Sequence, residues 1–194
     1  TEAKAALQGK ANVEIEGVRE TISHASHIKI TEIEILNEQG AMQMSRPVGK
    51  YITLEIPELH TYNEAALTDD IIKTTADVLK SLYPIQKDKP TLIVGLGNSA
   101  TTPDSLGPCV VSHIQPTSHV YHLFDQETQK AISPICLLVP GVLGNTGIAT
   151  FETIDGVVKK IKPAALIVID ALATASITRI CNTIQITDTG IRPG

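Results

Sequence analysis

Three short runs of aliphatic residues constrain the fold of this chain more than any other feature. They lie at residues 92–94, 135–139 and 165–169. Uninterrupted apolar runs of this length are typical of strands that are covered on both faces, as in a parallel sheet. Helical patterns follow the first run at 105–114 and separate the last two at 151–162. The sequence therefore predicts an α/β fold, with a mainly parallel sheet and helices on both faces.

The N-terminal quarter of the chain has a different pattern. Apolar residues alternate with a period close to two over 28–35 and 51–56, which predicts half-buried strands. We therefore expect a small strand-rich portion at 12–57, followed by an α/β core at 63–194. Since the chain has 194 residues, the length of one ordinary domain, we expect both portions to form a single domain.

The composition argues against several classes of function. Aromatic residues make up 3% of the chain and Trp is absent, so aromatic platforms for single-stranded nucleic acid are not expected. The net charge is −5, and no run of Lys or Arg supplies the basic face that a duplex-binding protein needs. No apolar stretch approaches the ~20 residues of a membrane helix, and no signal peptide is visible. We expect neither nucleic-acid binding nor a membrane anchor.

The cysteines and histidines give little support to a metal site. Cys109, Cys136 and Cys181 are widely spaced and form no C-x-x-C pair, which argues against a disulfide framework or structural zinc and favours a reducing, cytoplasm-like compartment. Because each lies in or beside an apolar stretch, we expect all three in the core. His119 and His122 form an H-x-x-H pair in a segment with a strand-like pattern, where their side chains would face opposite ways. We expect no metal there.

Two acidic residues lie where a parallel sheet would carry a ligand site. Ligands of open α/β folds bind at the edge where the carboxyl ends of the strands meet. Three loops leave this edge, at 95–108, at 140–147 and from Asp170 onward. Asp104 lies in the first loop, and Asp170 directly follows the third apolar run. Two carboxyl groups that share a proton can deprotonate a water molecule and then protonate a leaving amine, with neither a metal nor a nucleophilic side chain.

Other roles for residues near this edge stay open. Asp104 and Ser105 could cap the following helix, and Asp188 could form an Asx turn before Gly190. The glycine-rich turn at 95–98 lacks the third glycine of a dinucleotide motif and the Lys of a P-loop. Small residues at the edge would let a peptide backbone approach. These candidate substrate-binding residues are Gly95, Gly97, Asn98, Gly141 and Asn145.

Four blocks of the sequence resemble the germination proteases of spore-forming bacteria. They are GKYITLEIP at 49–57, VGLGNSATTPDSLGP at 94–108, VPGVLGNTGIATFETIDGVVKKIKP at 139–163 and IVIDALATASITRICNTIQITDTGIRPG at 167–194. The resemblance extends from about residue 13 to Gly194. It implies an atypical aspartic endopeptidase that needs no cofactor, and it puts the two catalytic aspartates at Asp104 and Asp170.

The resemblance also implies a biological setting. Its substrates would be the small acid-soluble spore proteins that coat DNA in the dormant spore and are degraded during germination. The enzyme would be a zymogen that removes its own propeptide, a homotetramer, and a resident of the forespore cytoplasm or spore core. The fold is similar to that of the hydrogenase-maturation endopeptidases. That similarity offers an alternative, metal-dependent chemistry in which Asp104 or Asp170 acts as a ligand together with a histidine.

The chain departs from the family pattern at several positions. The family pattern continues beyond Gly194, so we expect a chain that is truncated at its C-terminus relative to the family. In the family a propeptide precedes the pattern. An inactive truncated domain is therefore a further alternative. Ala149 replaces a Glu of the pattern, and Ala175 and Tyr121 each replace an Arg. These three changes leave both aspartates in place.

Overall fold

The computed structural model describes residues 15–57, 64–83, 86, 88–174, 176 and 179–191. Its helices and strands, in chain order, are β1 (Val18–Ala25), β2 (Ile28–Ile35), α1 (Glu38–Met44), β3 (Gly49–Glu55), α2 (Glu64–Leu82), β4 (Thr91–Gly95), α3 (Leu106–Ser112), α4 (Gln126–Ala131), β5 (Ile135–Leu138), α5 (Leu143–Thr146), α6 (Thr150–Ile161), β6 (Ala165–Ile169) and β7 (Thr183–Thr187). They divide between two compact units, the first comprising Thr1–Pro84 and Thr174–Ile191, the second Ile85–Ala173 and Arg192–Gly194.

An antiparallel sheet of four strands, in the spatial order β1-β2-β3-β7, forms the centre of the first unit. Three of these strands, β1, β2 and β3, lie in the portion 12–57, where the sequence predicts strands. The fourth, β7, pairs with β3 so that Tyr51 lies opposite Thr187. The first unit therefore includes a strand from the far end of the chain as well as the helix α2.

Strand β2 is buried on both faces because its isoleucines change phase. Ile28 and Ile30 point to one face, whereas Ile33 and Ile35 point to the other, since alternate residues of a strand face opposite ways. Ile28 belongs to a core that includes residues of β3 and α2. Ile33 and Ile35 pack with Met44 of α1 on the opposite face. Each helix thus covers one end of the strand, on a different face.

Helix α1 begins at a side-chain cap. The Asn37 Oδ1 accepts a hydrogen bond from the Gly40 N–H at 2.9 Å, which satisfies a donor that has no partner within the helix. We expect Asn37→Ala to lower the free energy of unfolding by about 1 kcal/mol, as measured by urea denaturation. Asn37→Asp keeps an acceptor and should stay close to the wild-type value. An equal loss in both variants would contradict the capping role.

A parallel sheet of three strands, in the order β5-β4-β6, forms the centre of the second unit. Leu92 and Val94 of β4 are fully buried and pack with α6 on one face. On the other face, Gly95 lies against Gly107 and Val111 of α3. All three aliphatic runs form strands of this parallel sheet, and helices cover both of its faces. The N-terminal region forms most of the antiparallel sheet of the first unit. The predicted fold class is confirmed.

The segment around His119 and His122 is a turn, and the predicted strand there is wrong. A 3₁₀ turn spans Tyr121–Leu123, and both histidines are exposed. The Gln129 amide donates to the carbonyl oxygens of Tyr121 and Phe124, at 3.2 Å and 2.7 Å. Local hydrogen bonds of this kind satisfy the backbone without a neighbouring strand and override the strand propensity of the sequence.

Asp125 ends this turn and begins α4. Its Oδ1 accepts a hydrogen bond from the Thr128 N–H at 2.9 Å, and its Oδ2 accepts one from the Thr128 hydroxyl at 3.0 Å. The backbone hydrogen bond from Thr128, followed by the one from its side chain, lowers the pKa of the Asp125 carboxyl from its ordinary value. The cap explains why the chain turns into a helix directly after Phe124.

The prediction that all three cysteines lie in the core is wrong for two of them. Cys109 and Cys181 are exposed, whereas Cys136 is partly buried. Cys109 lies two residues before the buried Val111 on α3, and residues two apart on a helix point in nearly opposite directions. Cys181 lies in the turn before β7, in the left-handed region with a φ of 57°. In the described part of the chain, no helix is both long and apolar enough to span a membrane.

Candidate active site at the carboxyl edge of the parallel sheet

Two aspartates lie at the edge of the second unit where the parallel strands end. Asp170 directly follows β6, and Asp104 ends a 3₁₀ turn, Thr102–Asp104, in the loop after β4. The two strands are neighbours, with Gly95 opposite Ile169. Because the strands are parallel, the loops that carry the two aspartates leave the sheet at the same edge. Both aspartates are partly buried.

The loop that carries Asp104 folds back onto the end of β4. The Asn98 N–H donates to the Asp104 carbonyl oxygen at 2.9 Å. Gly97, which is buried, has a φ of +113°, and a Cβ at this position would lie 2.0 Å from that oxygen. A hydrogen in place of a side chain is therefore required for the close approach. Gly97 therefore allows the Asp104 backbone to pack against the end of β4.

Gly107 of α3 packs against the ends of both β4 and β6. A Cβ on this glycine would lie 2.3 Å from the Leu96 carbonyl oxygen and 2.6 Å from that of Ile169, the residue before Asp170. The Leu96 N–H in turn donates to the Ile169 carbonyl oxygen at 2.8 Å. The backbones that lead to Asp104 and Asp170 thus meet at one point. Sequence reasoning missed Gly107, although a glycine at the start of a helix that follows a glycine-rich turn is the signal of such close packing.

The carboxylate of Asp104 is not the cap of α3. Ser105 occupies the N-cap position, its hydroxyl donates to the Thr102 carbonyl oxygen at 2.9 Å, and no side chain among the described residues caps this helix. The Oδ1 of Asp170 accepts a local hydrogen bond from the Ala171 N–H at 2.8 Å. The ion pairs that the described residues form involve other acids. These two carboxylates therefore lack a cationic partner in the described part of the chain.

Three of the predicted substrate-binding residues, Gly95, Gly97 and Asn98, make contacts within the chain that build the loop after β4. The space in front of Gly95 and Gly97 is filled by the backbone of Gly107 and Asp104. The Asn98 Oδ1 accepts a hydrogen bond from the Ala100 N–H at 3.0 Å. These glycines bring parts of the same chain close together, and a contact of these residues with substrate stays a prediction.

The other two predicted substrate-binding residues lie in the loop after β5, at the same edge of the sheet. Gly141 has a φ of +74° and lies beside the Thr146 methyl group. Asn145 is exposed on the short helix α5. Their role in substrate binding also stays a prediction. Asp188 lies in the first unit, where its Oδ1 accepts from the Lys50 N–H at 2.8 Å and ties the end of β7 to β3, in place of the predicted Asx turn.

Comparison with known sequences identifies the family. A model of the germination protease family matches residues 1–194. The chain belongs to the germination protease family. It is 40% identical over 194 residues to the germination protease of Clostridium perfringens (strain 13 / Type A), covering 100% of this chain and 59% of that protein. It is 44% identical over 193 residues to the germination protease of Clostridium tetani, and the match again covers 100% of this chain and 59% of that protein. The resemblance seen in the sequence blocks is confirmed.

A third germination protease, from Priestia megaterium, is 42% identical over 184 residues, which cover 93% of this chain and 49% of that protein. The chain thus spans 59% of the length of the two clostridial relatives. Two of the residues at which the sequence predicts a departure from the family pattern lie in the described part of the chain. Ala149 precedes the first turn of α6, and the Tyr121 hydroxyl donates to the Gln129 carbonyl oxygen at 3.1 Å. Ala175 lies outside the described residues.

Proposed function

We propose that this germination protease is an endopeptidase in which Asp104 and Asp170 act together on a water molecule. The observation that supports the proposal is the contact at Gly107, which holds the backbones leading to both aspartates at one edge of the parallel sheet. The segments that carry the two carboxyl groups follow neighbouring strands of this sheet. Asp104 and Asp170 are the acidic residues in the segments 95–108, 140–147 and 170–173.

The proposed reaction needs one ionised and one protonated carboxyl group. The ionised carboxylate accepts a proton from water, whose oxygen then forms a bond to the scissile carbonyl carbon. The protonated carboxyl donates its proton to the scissile carbonyl oxygen as the tetrahedral intermediate forms. The first group then returns its proton to the amide nitrogen as the C–N bond breaks, and the second carboxylate accepts a proton from a hydroxyl of the intermediate, so that both carboxyl groups return to their starting states. Positioned proton transfer of this kind accelerates a reaction by about 10²–10⁴-fold.

The substrates we propose are the small acid-soluble spore proteins, degraded during germination in the spore core. We further propose that the whole protein is a self-processing zymogen and a homotetramer. The support for these proposals is the family to which the chain belongs. They concern the whole protein, since the chain spans 59% of the length of its clostridial relatives.

Chelation separates this chemistry from a metal-dependent one. We expect the purified full-length protein to cleave a small acid-soluble spore protein at the same initial rate with and without excess EDTA, because two carboxyl groups can activate water unaided. Cleavage is measured by electrophoresis and mass spectrometry. Complete inhibition that an added divalent ion reverses would select the metal-dependent alternative. A full-length protein that assembles but cleaves nothing at any pH would contradict the proposed peptidase activity.

A further inference from the structure

Strand β1 forms one edge of the antiparallel sheet, and no other strand in the described part of the chain pairs with its outer side. It pairs with β2 without a bulge along its whole length, from Val18 opposite Ile35 to Ala25 opposite Ile28. Proteins protect an exposed edge with proline, lysine, a bulge or a very short strand. None of these is present in β1, and its residues 19–24 are all exposed. A long, regular edge of this kind is suited to pairing with a further strand.

The direction of the backbone groups on β1 follows from its two ends. The two-residue turn Ser26–His27 joins β1 to β2, with a φ of 53° at Ser26. Such a turn is closed by hydrogen bonds between the residues on either side of it. At the other end, the Leu36 N–H donates to the Gly17 carbonyl oxygen at 2.8 Å. The backbone groups of the odd-numbered residues therefore face β2. Since these groups alternate along a strand, those of Ile22 point outward.

The order of side chains on β1 is complementary to its own reverse. When two β1 strands pair antiparallel with Ile22 opposite itself, the outward backbone groups of both strands meet. Glu20 then lies opposite His24 of the second copy, and Thr21 lies opposite Ser23. A carboxylate can accept a hydrogen bond from an imidazole, and facing β-branched side chains stabilise neighbouring strands. Because Ile22 is 53% exposed, the pairing also removes apolar surface from water.

We propose that β1 pairs antiparallel with β1 of a second copy of the chain, with Ile22 on a two-fold axis, so that the two four-stranded sheets become continuous. An unrelated strand would match the backbone groups but not this order of side chains, which favours a second copy. The inference rests on the homotetramer proposed above, for which it assigns one of the interfaces. A two-fold contact joins copies in pairs, and a second kind of interface joins the pairs.

Ile22→Lys tests the pairing in the full-length protein. The substitution places two ammonium groups together on the axis, and lysine at a sheet edge opposes pairing with another strand. We expect analytical ultracentrifugation to give half of the wild-type mass, because one of the two kinds of interface is lost. Ile72→Lys is the matched control, since Ile72 is 60% exposed on α2, and it should keep the wild-type mass. Circular dichroism and the melting temperature establish that both variants are folded.

Ile22→Cys tests the register in the same full-length protein. Residues directly opposite each other in an antiparallel pair have Cα atoms about 4.5–5.5 Å apart, within the range of a disulfide. We expect mild oxidation to link two copies, with the bond located at position 22 by mass spectrometry. The wild type oxidised in parallel shows any link through the native cysteines. Thr21→Cys should form no link, because its two copies lie two residues apart along the strands, more than about 7 Å.

The two variants separate failure of the contact from failure of the assembly. A wild-type mass in Ile22→Lys, or the absence of a link in Ile22→Cys, overturns the β1 contact while the homotetramer stands. A link in Thr21→Cys overturns the contact as well, because it requires another register. A wild-type protein that sediments as a monomer overturns the proposed homotetramer together with the contact.

Discussion

Replacing Asp104 or Asp170 by asparagine is expected to lower the peptidase activity of the full-length protein by at least about 100-fold. Asparagine keeps the size and shape of the side chain but neither accepts nor returns a proton at neutral pH. The measurement is the initial rate of cleavage of a small acid-soluble spore protein. Far-UV circular dichroism and the melting temperature establish that each variant is folded.

Asp188→Asn provides the matched control for these two variants. Asp188 also follows a strand, but its Oδ1 accepts a hydrogen bond from the Lys50 N–H, and the amide oxygen of asparagine can accept the same bond. We expect an unchanged rate of cleavage. The double variant of Asp104 and Asp170 should be no slower than the slower single variant, because groups that act as a unit are not additive. Near-normal cleavage by either single variant would refute the proposed pair.

The parallel sheet could be predicted because its signal is local. Each aliphatic run forms a strand of the sheet, and the run that forms the central strand β4 is the most deeply buried. The position of Asp170 at the end of such a run, and of Asp104 in the loop after another, then follows from the common direction of the strands. The two candidate catalytic residues could therefore be assigned to one edge without a structure.

Other features depend on contacts between distant residues, which no local pattern records. The pairing of β7 with β3 joins Tyr51 to Thr187. The burial of β2 on two faces requires helices that cover opposite ends of the strand. Positions 97 and 107 require glycine because backbone atoms of other residues lie where a Cβ would be: those of Asp104 at Gly97, and those of Leu96 and Ile169 at Gly107. A glycine in a sequence indicates that the backbone adopts an unusual conformation or lies close to another group, but it does not identify that group.

Gly97→Ala is expected to destabilise the protein by about 3 kcal/mol, because a φ of +113° is strained for any residue with a Cβ. The added methyl group would also lie 2.0 Å from the Asp104 carbonyl oxygen. That oxygen belongs to the backbone, so no side-chain rotation can remove the overlap, and Asp104 must move away from the sheet edge. We therefore expect the rate of cleavage to fall at temperatures where the variant is still folded. Urea denaturation gives the stability, and the cleavage assay gives the rate.

Gly156→Ala separates this effect from that of adding a methyl group in general. Gly156 lies within α6, its φ is not in the left-handed region, and an added Cβ would meet nothing within 4 Å apart from the adjacent backbone of the helix itself. Since alanine is the better helix former, this variant should be more stable than the wild type by up to about 1 kcal/mol, with unchanged cleavage. A Gly97→Ala protein with the stability and activity of the wild type would show that Asp104 does not depend on the contact at Gly97. A Gly97→Ala protein that is destabilised but fully active when folded would assign Gly97 to folding alone, because displacement of a catalytic carboxylate by even ~1 Å slows a reaction.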